Sequence, residues 1–233
     1  MNEMEKMYFE NLKKESQQKP FLKVEEASKA IAEMLRKSCL SKDGIVQVDL
    51  WVYFAASLTG ICCAKMAALN ANRLIVENAS VSNYVAMMKL DTEIGSFYVG
   101  DAIDEYLFHG DFSACRMVGV LYSEFYKHGN MPDVNALEKK CISNLGKKEY
   151  RLWDNLHNAY EEKISAAQVY ESIDTYLKPF ELSDHEKVMS YAMALASVIV
   201  KAEGVFPARL NCMEMSMETV IFYAHMDYSM QFK

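Results

Sequence analysis

The most apolar stretch of the chain runs from Asp49 to Asn70 (DLWVYFAASLTGICCAKMAALN), and a helix formed by it would be apolar on every side. A helix without a polar face has to be surrounded by protein or by lipid. Its uncharged part, residues 50–64, would rise only about 22 Å, which is short of the roughly 30 Å hydrocarbon core of a bilayer. We therefore predict a buried helix over about residues 48–71 at the centre of the protein and no membrane span.

Small residues recur along this predicted central helix. Ala56, Gly60 and Ala64 are spaced four apart and would share one side of the helix. A smooth side of this kind lets a neighbouring helix approach closely, whereas larger side chains would hold the neighbour away. We predict that Gly60 faces another helix at short distance.

Most of the remaining sequence also predicts helices. Only 9 Gly and 4 Pro occur in the 233 residues, and apolar residues recur mainly at helical spacing. Asp101 and Asp111 are predicted N-caps, and Ser183 with Glu186 matches a capping box. The other predicted helices span residues 2–17, 24–40, 101–109, 112–128, 133–145, 148–162, 166–177, 187–202 and 207–228.

One segment in the first half departs from the helical pattern. Residues 84–90 are apolar and partly alternating, residues 91–95 have the character of a turn, and residues 96–99 are aromatic and β-branched. This pattern predicts a small β-hairpin over about residues 84–99, which must lie on the helices because an isolated hairpin is unstable. Since no linker or low-complexity run divides the chain, we predict that residues 1–233 form a single, mainly α domain, a bundle around the central helix.

Charge and cysteine usage narrow the functional classes. The formal net charge is -7 and no basic stripe is present, which argues against binding to nucleic acid through its phosphates. None of the six cysteines forms a C-x-x-C pair, a pattern typical of reduced, buried thiols in the cytoplasm. The first sixteen residues mix acids and bases without an apolar core, so we expect no secretory signal. These features predict a cytoplasmic protein.

The acidic segment from residue 91 to residue 111 is the best candidate for a chemical site. Asp101 and Glu105 are one helical turn apart, and so are Glu105 and His109. Three such groups on one face could ligate Mn²⁺, Fe²⁺ or Zn²⁺. The alternative, which we favour, is that Asp101 caps a helix and the other acids form a solvated face near its N-terminus. We therefore expect no cofactor.

The predicted last helix has more apolar surface than one neighbour can cover. Its main apolar face is predicted to pack against the helix of residues 187–202, because a short connection joins the two. Met215, Phe222 and Met226 fall outside that face. The flank that they form needs cover from the N-terminal helix or from a second copy of the chain, and we favour a two-fold dimer interface.

Taken alone, the sequence predicts a cytoplasmic, non-enzymatic helical protein that acts by binding another protein or itself. No Walker A, G-x-G-x-x-G or G-x-S-x-G motif is present. Two other interpretations remain open. The first is a metal-dependent enzyme that uses Asp101, Glu105 and His109. The second is a protein that binds a small apolar ligand between the central helix and the helix of residues 187–202.

Overall fold

The structure, a computed structural model, describes residues 2–76, 87–92, 95–125, 132–147, 166–205 and 212–227. This part of the chain is mainly α-helical with a two-stranded antiparallel hairpin, which confirms the predicted fold class. Short π-helical turns extend α4 and α5, and a 3-10 turn extends α7. The described elements are α1 (Glu3–Ser16), α2 (Leu22–Ser38), α3 (Val48–Val76), β1 (Met88–Thr92), β2 (Gly95–Val99), α4 (Asp101–Asp104), α5 (Ala114–Val120), α6 (Val134–Asn144), α7 (Ala166–Leu177), α8 (Asp184–Ala202) and α9 (Cys212–His225).

Helix α3 is the predicted central helix, and it continues beyond the predicted end at residue 71. Between residues 50 and 67 every residue except Lys65 is buried. Both α8 and α9 pack along it, so α3 forms the middle of the core. Residues 48–72 of α3 are long and apolar enough to cross a membrane, but most of them are enclosed by protein.

Helix α3 approaches α9 very closely at Gly60, where the two helices cross. A Cβ atom added to Gly60 would lie 2.8 Å from Cβ of Tyr223 and 2.9 Å from the amide nitrogen of Ala224, and it would collide with the carbonyl oxygen of Val220. The hydroxyl groups of Tyr53 and Tyr223 hydrogen-bond across the same crossing. The prediction that Gly60 faces a helix at short distance is confirmed.

The predicted neighbour of the last helix was wrong. Helix α9 packs chiefly on α3 and makes few contacts with α8, the helix that was expected to cover its main face. The close approach that Gly60 permits gives α9 more packing on α3 than the short connection to α8 would provide. Residues 207–211 and 228 of the predicted last helix lie outside the described residues, and so does the whole of the helix predicted over residues 148–162.

Local signals at helix ends were predicted with mixed success. At the start of α8 the amide of Glu186 donates to the Ser183 hydroxyl at 3.3 Å, and the amide of Ser183 donates to the Glu186 carboxylate at 2.8 Å, which confirms the capping box. The two aspartate N-caps were wrong. Gly100, with φ of 146°, is the N-cap before Asp101, because the chain must turn sharply where β2 ends.

The second aspartate, Asp111, also lies outside the helix that it was expected to cap. Ser113 is the N-cap of α5, and its carbonyl accepts the amide of Met117 at 2.9 Å. The Asp111 carboxylate instead accepts a hydrogen bond from Arg116 at 3.0 Å. The helix therefore begins at Ala114 and not at Phe112, which leaves the Phe112 ring free to pack elsewhere.

The hairpin lies within the predicted range and is fixed to the end of α9. Its register pairs Met88 with Val99 and Thr92 with Gly95. The side chain of Phe97 is only 2% exposed, and the amide of Asp227 donates to the carbonyl of Ser96 at 3.0 Å. The hairpin is therefore part of the packed structure, as a marginal two-stranded ribbon has to be. Residues 84–86 of the predicted segment lie outside the described residues.

The cysteines are buried thiols, as predicted. All six are free, and each is buried in the core. Burial raises the pKa of the Cys62 thiol to about 12, and burial together with the nearby Asp49 raises that of Cys39 to about 12. The thiolate forms needed for nucleophilic chemistry are therefore strongly disfavoured at neutral pH.

Candidate binding groove

An open groove of about 640 Å³ runs along one side of the molecule, between α2, α8 and the segment of residues 112–121. Its floor is mainly apolar and its edges are charged. Its lining residues are Phe21, Glu25, Ser28, Lys29, Ala32, Glu33, Arg36, Trp51, Phe112, Met117, Leu121, Met189, Met193, Ser197 and Lys201.

Each wall of the groove comes from one face of a helix. On α8 the lining residues are Met189, Met193, Ser197 and Lys201, which are spaced four apart and therefore lie in one row. On α2 the lining residues recur every three or four positions in the same way, from Glu25 onward. Two walls of the groove are therefore formed by regular rows of side chains on helices.

The walls of the groove run in the same direction. Near the N-termini of α2 and α8, the ammonium group of Lys23 lies 3.8 Å from the Glu186 carboxylate. At the other end, α2 turns into the start of α3 through the paired residues Leu40 and Val46. Trp51, near the start of α3, shares the groove with the last turn of α8. Helices α2 and α8 are therefore parallel.

The two ends of the groove differ in chemistry. At the N-terminal end, which we call the aromatic end, the rings of Phe21 and Phe112 lie 6.1 Å apart beside Glu25. At the C-terminal end, which we call the cationic end, Arg36 and Lys201 flank the groove. The groove thus has an apolar floor with a carboxylate near one end and two cations near the other.

The charges at the cationic end are unequally available. Both Nε and Nη2 of Arg36 bond the Glu33 carboxylate at 2.8 Å, and this bonding lowers the pKa of Glu33. The ammonium group of Lys201 forms no ion pair with any described residue. Among the described residues, Lys201 is therefore the cation at this end that can meet an anionic group of a bound molecule without breaking an ion pair.

Trp51 forms part of the floor at the cationic end. The residue is only 7% exposed, and its indole N–H has no hydrogen-bond partner among the described residues. An unpaired buried donor costs about 1–3 kcal/mol relative to a satisfied one. A large aromatic ring at the base of an open groove also offers apolar contact area to whatever binds there.

The metal-site residues of the sequence hypothesis do not converge. Asp101, Glu105 and His109 are all exposed. Across the described ranges, no three His, Cys, Asp or Glu side chains are grouped so that they could hold a metal ion. Burial raises the pKa of the nearby Asp104 carboxyl, and His109 opposes this shift in part.

The residues of the predicted dimer interface lie beside the hairpin. The ring of Phe222 packs edge-on against Phe97 with centroids 5.7 Å apart, and Met226 forms a backbone bridge with the same residue. Met215, Phe222 and Met226 are each half-buried and pack against the core. A strand of the same chain therefore covers part of this flank, and the role of its exposed part as an interface stays a prediction.

The groove was not predicted from the sequence. Helices α3 and α8 pack directly on each other where the small-ligand interpretation of the sequence places its site, while the groove lies on the side of α8 that faces α2. The signal that was available is the row of residues 189, 193, 197 and 201, which passes from Met to Ser to Lys along one face of a mostly apolar helix.

No family model, curated protein or solved structure matches the chain. The comparisons therefore supply neither a fold family nor an activity.

Proposed function

We propose that the protein is a cytoplasmic, non-enzymatic binding protein that holds an amphipathic helix of a protein partner in the groove between α2 and α8. The observation that carries this proposal is a half-open, mainly apolar groove whose two long walls are parallel helices with charged outer edges. Amphipathic helices bind proteins in grooves of this kind by inserting apolar residues spaced at i, i+3, i+4 and i+7.

The length of the groove suits a short helix. Its α2 wall extends from Glu25 to Arg36, which corresponds to about 16 Å at the rise of an α-helix. A helix of about three turns has that length and would present three or four apolar residues to the floor. The alternating charges on the α2 edge, among them Lys29 and Glu33, would then flank the polar sides of the bound helix.

The side chains that line the groove support protein binding. Met117, Met189 and Met193 contribute flexible, polarisable side chains, which adapt well to the irregular surface of a bound helix. At the aromatic end, Phe21 is 48% exposed although it is a large apolar residue. Aromatic residues at the edge of an apolar depression are common sites of strong binding in protein interfaces.

A small apolar ligand is the competing occupant. A volume of about 640 Å³ falls within the range of small-molecule sites, and Trp51 would provide a stacking surface. Small-molecule sites usually enclose most of their ligand, however, because an apolar molecule left half in water gains little from binding. The open side of this groove therefore favours a helix, whose polar face can remain in water.

Site-specific photocrosslinking tests the proposal. A benzophenone amino acid placed at Met193 would react with whatever occupies the groove in the cell, and one placed at Ile142, which is exposed on α6, is the matched control. We expect adducts at position 193 with one amphipathic segment of a polypeptide, and no such adducts at position 142. Adducts formed only with lipids or other small molecules would contradict the proposal, as would the same polypeptides captured from both positions.

Tryptophan fluorescence provides the complementary test. In a Trp153→Phe variant Trp51 is the single tryptophan, so a molecule bound in the groove should change its emission. We expect decanoate, used as a simple apolar probe, to bind weakly and without a defined stoichiometry. Tight one-to-one binding that Met193→Lys abolishes would favour the small-ligand interpretation over the helix.

A further inference from the structure

A second apolar surface lies on α1. Met4 is 80% exposed, Met7 is 59% exposed and Tyr8 is 45% exposed, and these residues share one side of the helix. We call these three residues the α1 stripe. The adjoining side of α1 holds it to its own chain, where Leu12 is buried and the ring of Phe9 lies 5.0 Å from that of Phe180. Most of the Met4 and Met7 side chains and about half of Tyr8 are therefore left uncovered by the described part of the chain.

The α1 stripe borders the edge of the groove. The hydroxyl of Tyr8 donates to the Glu26 carboxylate at 3.2 Å, and the same carboxylate accepts from Lys29, a groove residue, at 2.6 Å. Helix α1 thus lies just outside the α2 wall. It could enter the groove of its own chain only if Leu12 and Phe9 lost their packing on the rest of that chain. Two copies facing each other across a two-fold axis could each insert α1 into the groove of the other.

The end charges of α1 complement those of the groove. Glu3 and Glu5 lie in the first turn of α1, and Lys14 lies in its last turn. If α1 enters the groove antiparallel to α2 and α8, its acidic end meets the cationic end with Lys201, and Lys14 approaches Glu25. Glu15, beside Lys14, weakens the second pairing, so the contact between Glu3 and Lys201 is the one to test.

We infer that the groove of one copy of this protein binds the α1 helix of a second copy, reciprocally, in a two-fold dimer. The inference rests on the proposed function, because it takes the groove to be a helix-binding site and names the helix. Both apolar surfaces become buried in one contact, and Lys201, which has no ion pair with a described residue, gains an anionic partner. The part of α1 from Glu3 to Lys14 rises about 16 Å, which matches the length of the α2 wall.

Sedimentation equilibrium at micromolar concentrations tests the inference. We expect the wild-type chain to have twice the monomer mass. Met7→Lys on the stripe and Met193→Lys in the groove should each weaken the dimer at least about tenfold, because each would bury an unpaired ammonium group in the contact. Met88→Lys, the same change at an exposed position of β1, is the matched control and should leave the dimer unchanged. Circular dichroism checks that every variant is folded.

A charge exchange tests the orientation independently of apolar packing. Glu3→Lys alone and Lys201→Glu alone should each weaken the dimer, because each places like charges at the same end of the contact. The two changes combined in one chain should restore much of the lost affinity, since every contact in a two-fold dimer then regains opposite charges. A combined variant that dimerises no better than the single variants would overturn the antiparallel placement of α1.

The remaining outcomes separate this inference from the proposed function. A wild-type chain at monomer mass overturns the inference, whereas crosslinks from position 193 to a helix of another protein would leave the proposed function intact. A dimer weakened by Met193→Lys but not by Met7→Lys excludes α1 as the occupant and retains the groove. If neither Met193→Lys nor Met7→Lys weakens the dimer, the dimer contact lies elsewhere, such as near Phe222, and the inference is overturned. The absence of any polypeptide adduct at position 193 overturns both.

Discussion

Helix α3 packs on α9 and helix α2 packs on α8, yet the two pairs have opposite characters. Where α3 crosses α9, Gly60 lies so close to the backbone of α9 that no added atom fits. Beside the contact of α2 with α8, Ser197, Met193 and other side chains face a groove of about 640 Å³. The comparison shows two uses of side-chain size in one chain. A residue without a side chain lets α3 and α9 pack in direct contact, whereas side chains of intermediate size leave a space beside the contact of α2 with α8.

The closed pair should be the most sensitive to added volume. We expect Gly60→Leu to lower the free energy of unfolding by about 3 kcal/mol or more, because the new side chain would collide with Val220 and Tyr223. The urea midpoint measures this loss. Gly204→Leu is the control, since nothing lies within 4 Å of the added Cβ atom there. Equal midpoints for the parent and Gly60→Leu would show that α3 is not the centre of the core.

The closed side also contains a buried group that should respond to acid. His225 Nδ1 lies 2.7 Å from the Tyr98 carbonyl and donates to it, while Nε2 has no partner among the described residues. Burial lowers the pKa of His225 below its ordinary value of 6.5, and the Tyr98 bond and Glu138 oppose this shift only in part. As the pH falls below 6.5 the unfolded chain therefore takes up the proton first, and stability decreases.

This acid sensitivity can be assigned by substitution. We expect the urea midpoint of the wild-type protein to fall between pH 7 and pH 5, and to fall less in His225→Gln, which cannot take up a proton. His109→Gln removes an exposed histidine and is the control that should retain the full decrease. If the decrease is unchanged in His225→Gln, other groups cause it.

The open pair should tolerate added volume. We expect Ser197→Leu to change the free energy of unfolding by less than about 1 kcal/mol, because the larger side chain can extend into the groove and leucine is a good helix former. Urea denaturation measures the change. A loss comparable to that of Gly60→Leu would show that the groove is closed in solution. The same variant should weaken binding in the groove, since it occupies part of the floor.

The smallest expected effect concerns metal ions. We expect Mn²⁺ or Zn²⁺ to leave the melting temperature unchanged, because ligands stabilise a protein only where the folded state binds them, and the exposed Asp101, Glu105 and His109 do not converge. A rise in melting temperature that Glu105→Ala abolishes would restore the metal-dependent interpretation. Glu10→Ala, an exposed carboxylate on α1, is the control.

The features that were predicted correctly from the sequence are those that depend on interactions between residues close together in the chain. The apolar residues of α3 leave no polar face, so its burial follows directly, and the small Gly60 shows where a neighbour can approach. The capping box of Ser183 and Glu186 is likewise formed within one turn. These interactions depend on local spacing, which a single sequence contains.

The features that were missed depend on distances between separate elements. Phe21, Trp51, Phe112 and Met193 line one groove although they are far apart in the sequence. Helical periodicity shows which faces of α2 and α8 are apolar. It does not show that the segment of residues 112–121 leaves a space between itself and these two helices. The helix that packs against α9 was mispredicted for a similar reason. The close contact at Gly60 determines that α9 packs on α3, and the short connection from α8 does not.

The buried cysteines of α3 allow the rate at which the core opens to be measured. Cys62 and Cys63 lie in α3, fully buried, and burial raises the pKa of both thiols. A thiol reagent can therefore reach them only during moments when helices separate from α3, so the rate of their labelling measures how often the core opens. Comparing that rate with and without an occupied groove would report whether binding on one side of α8 steadies the packing on the other.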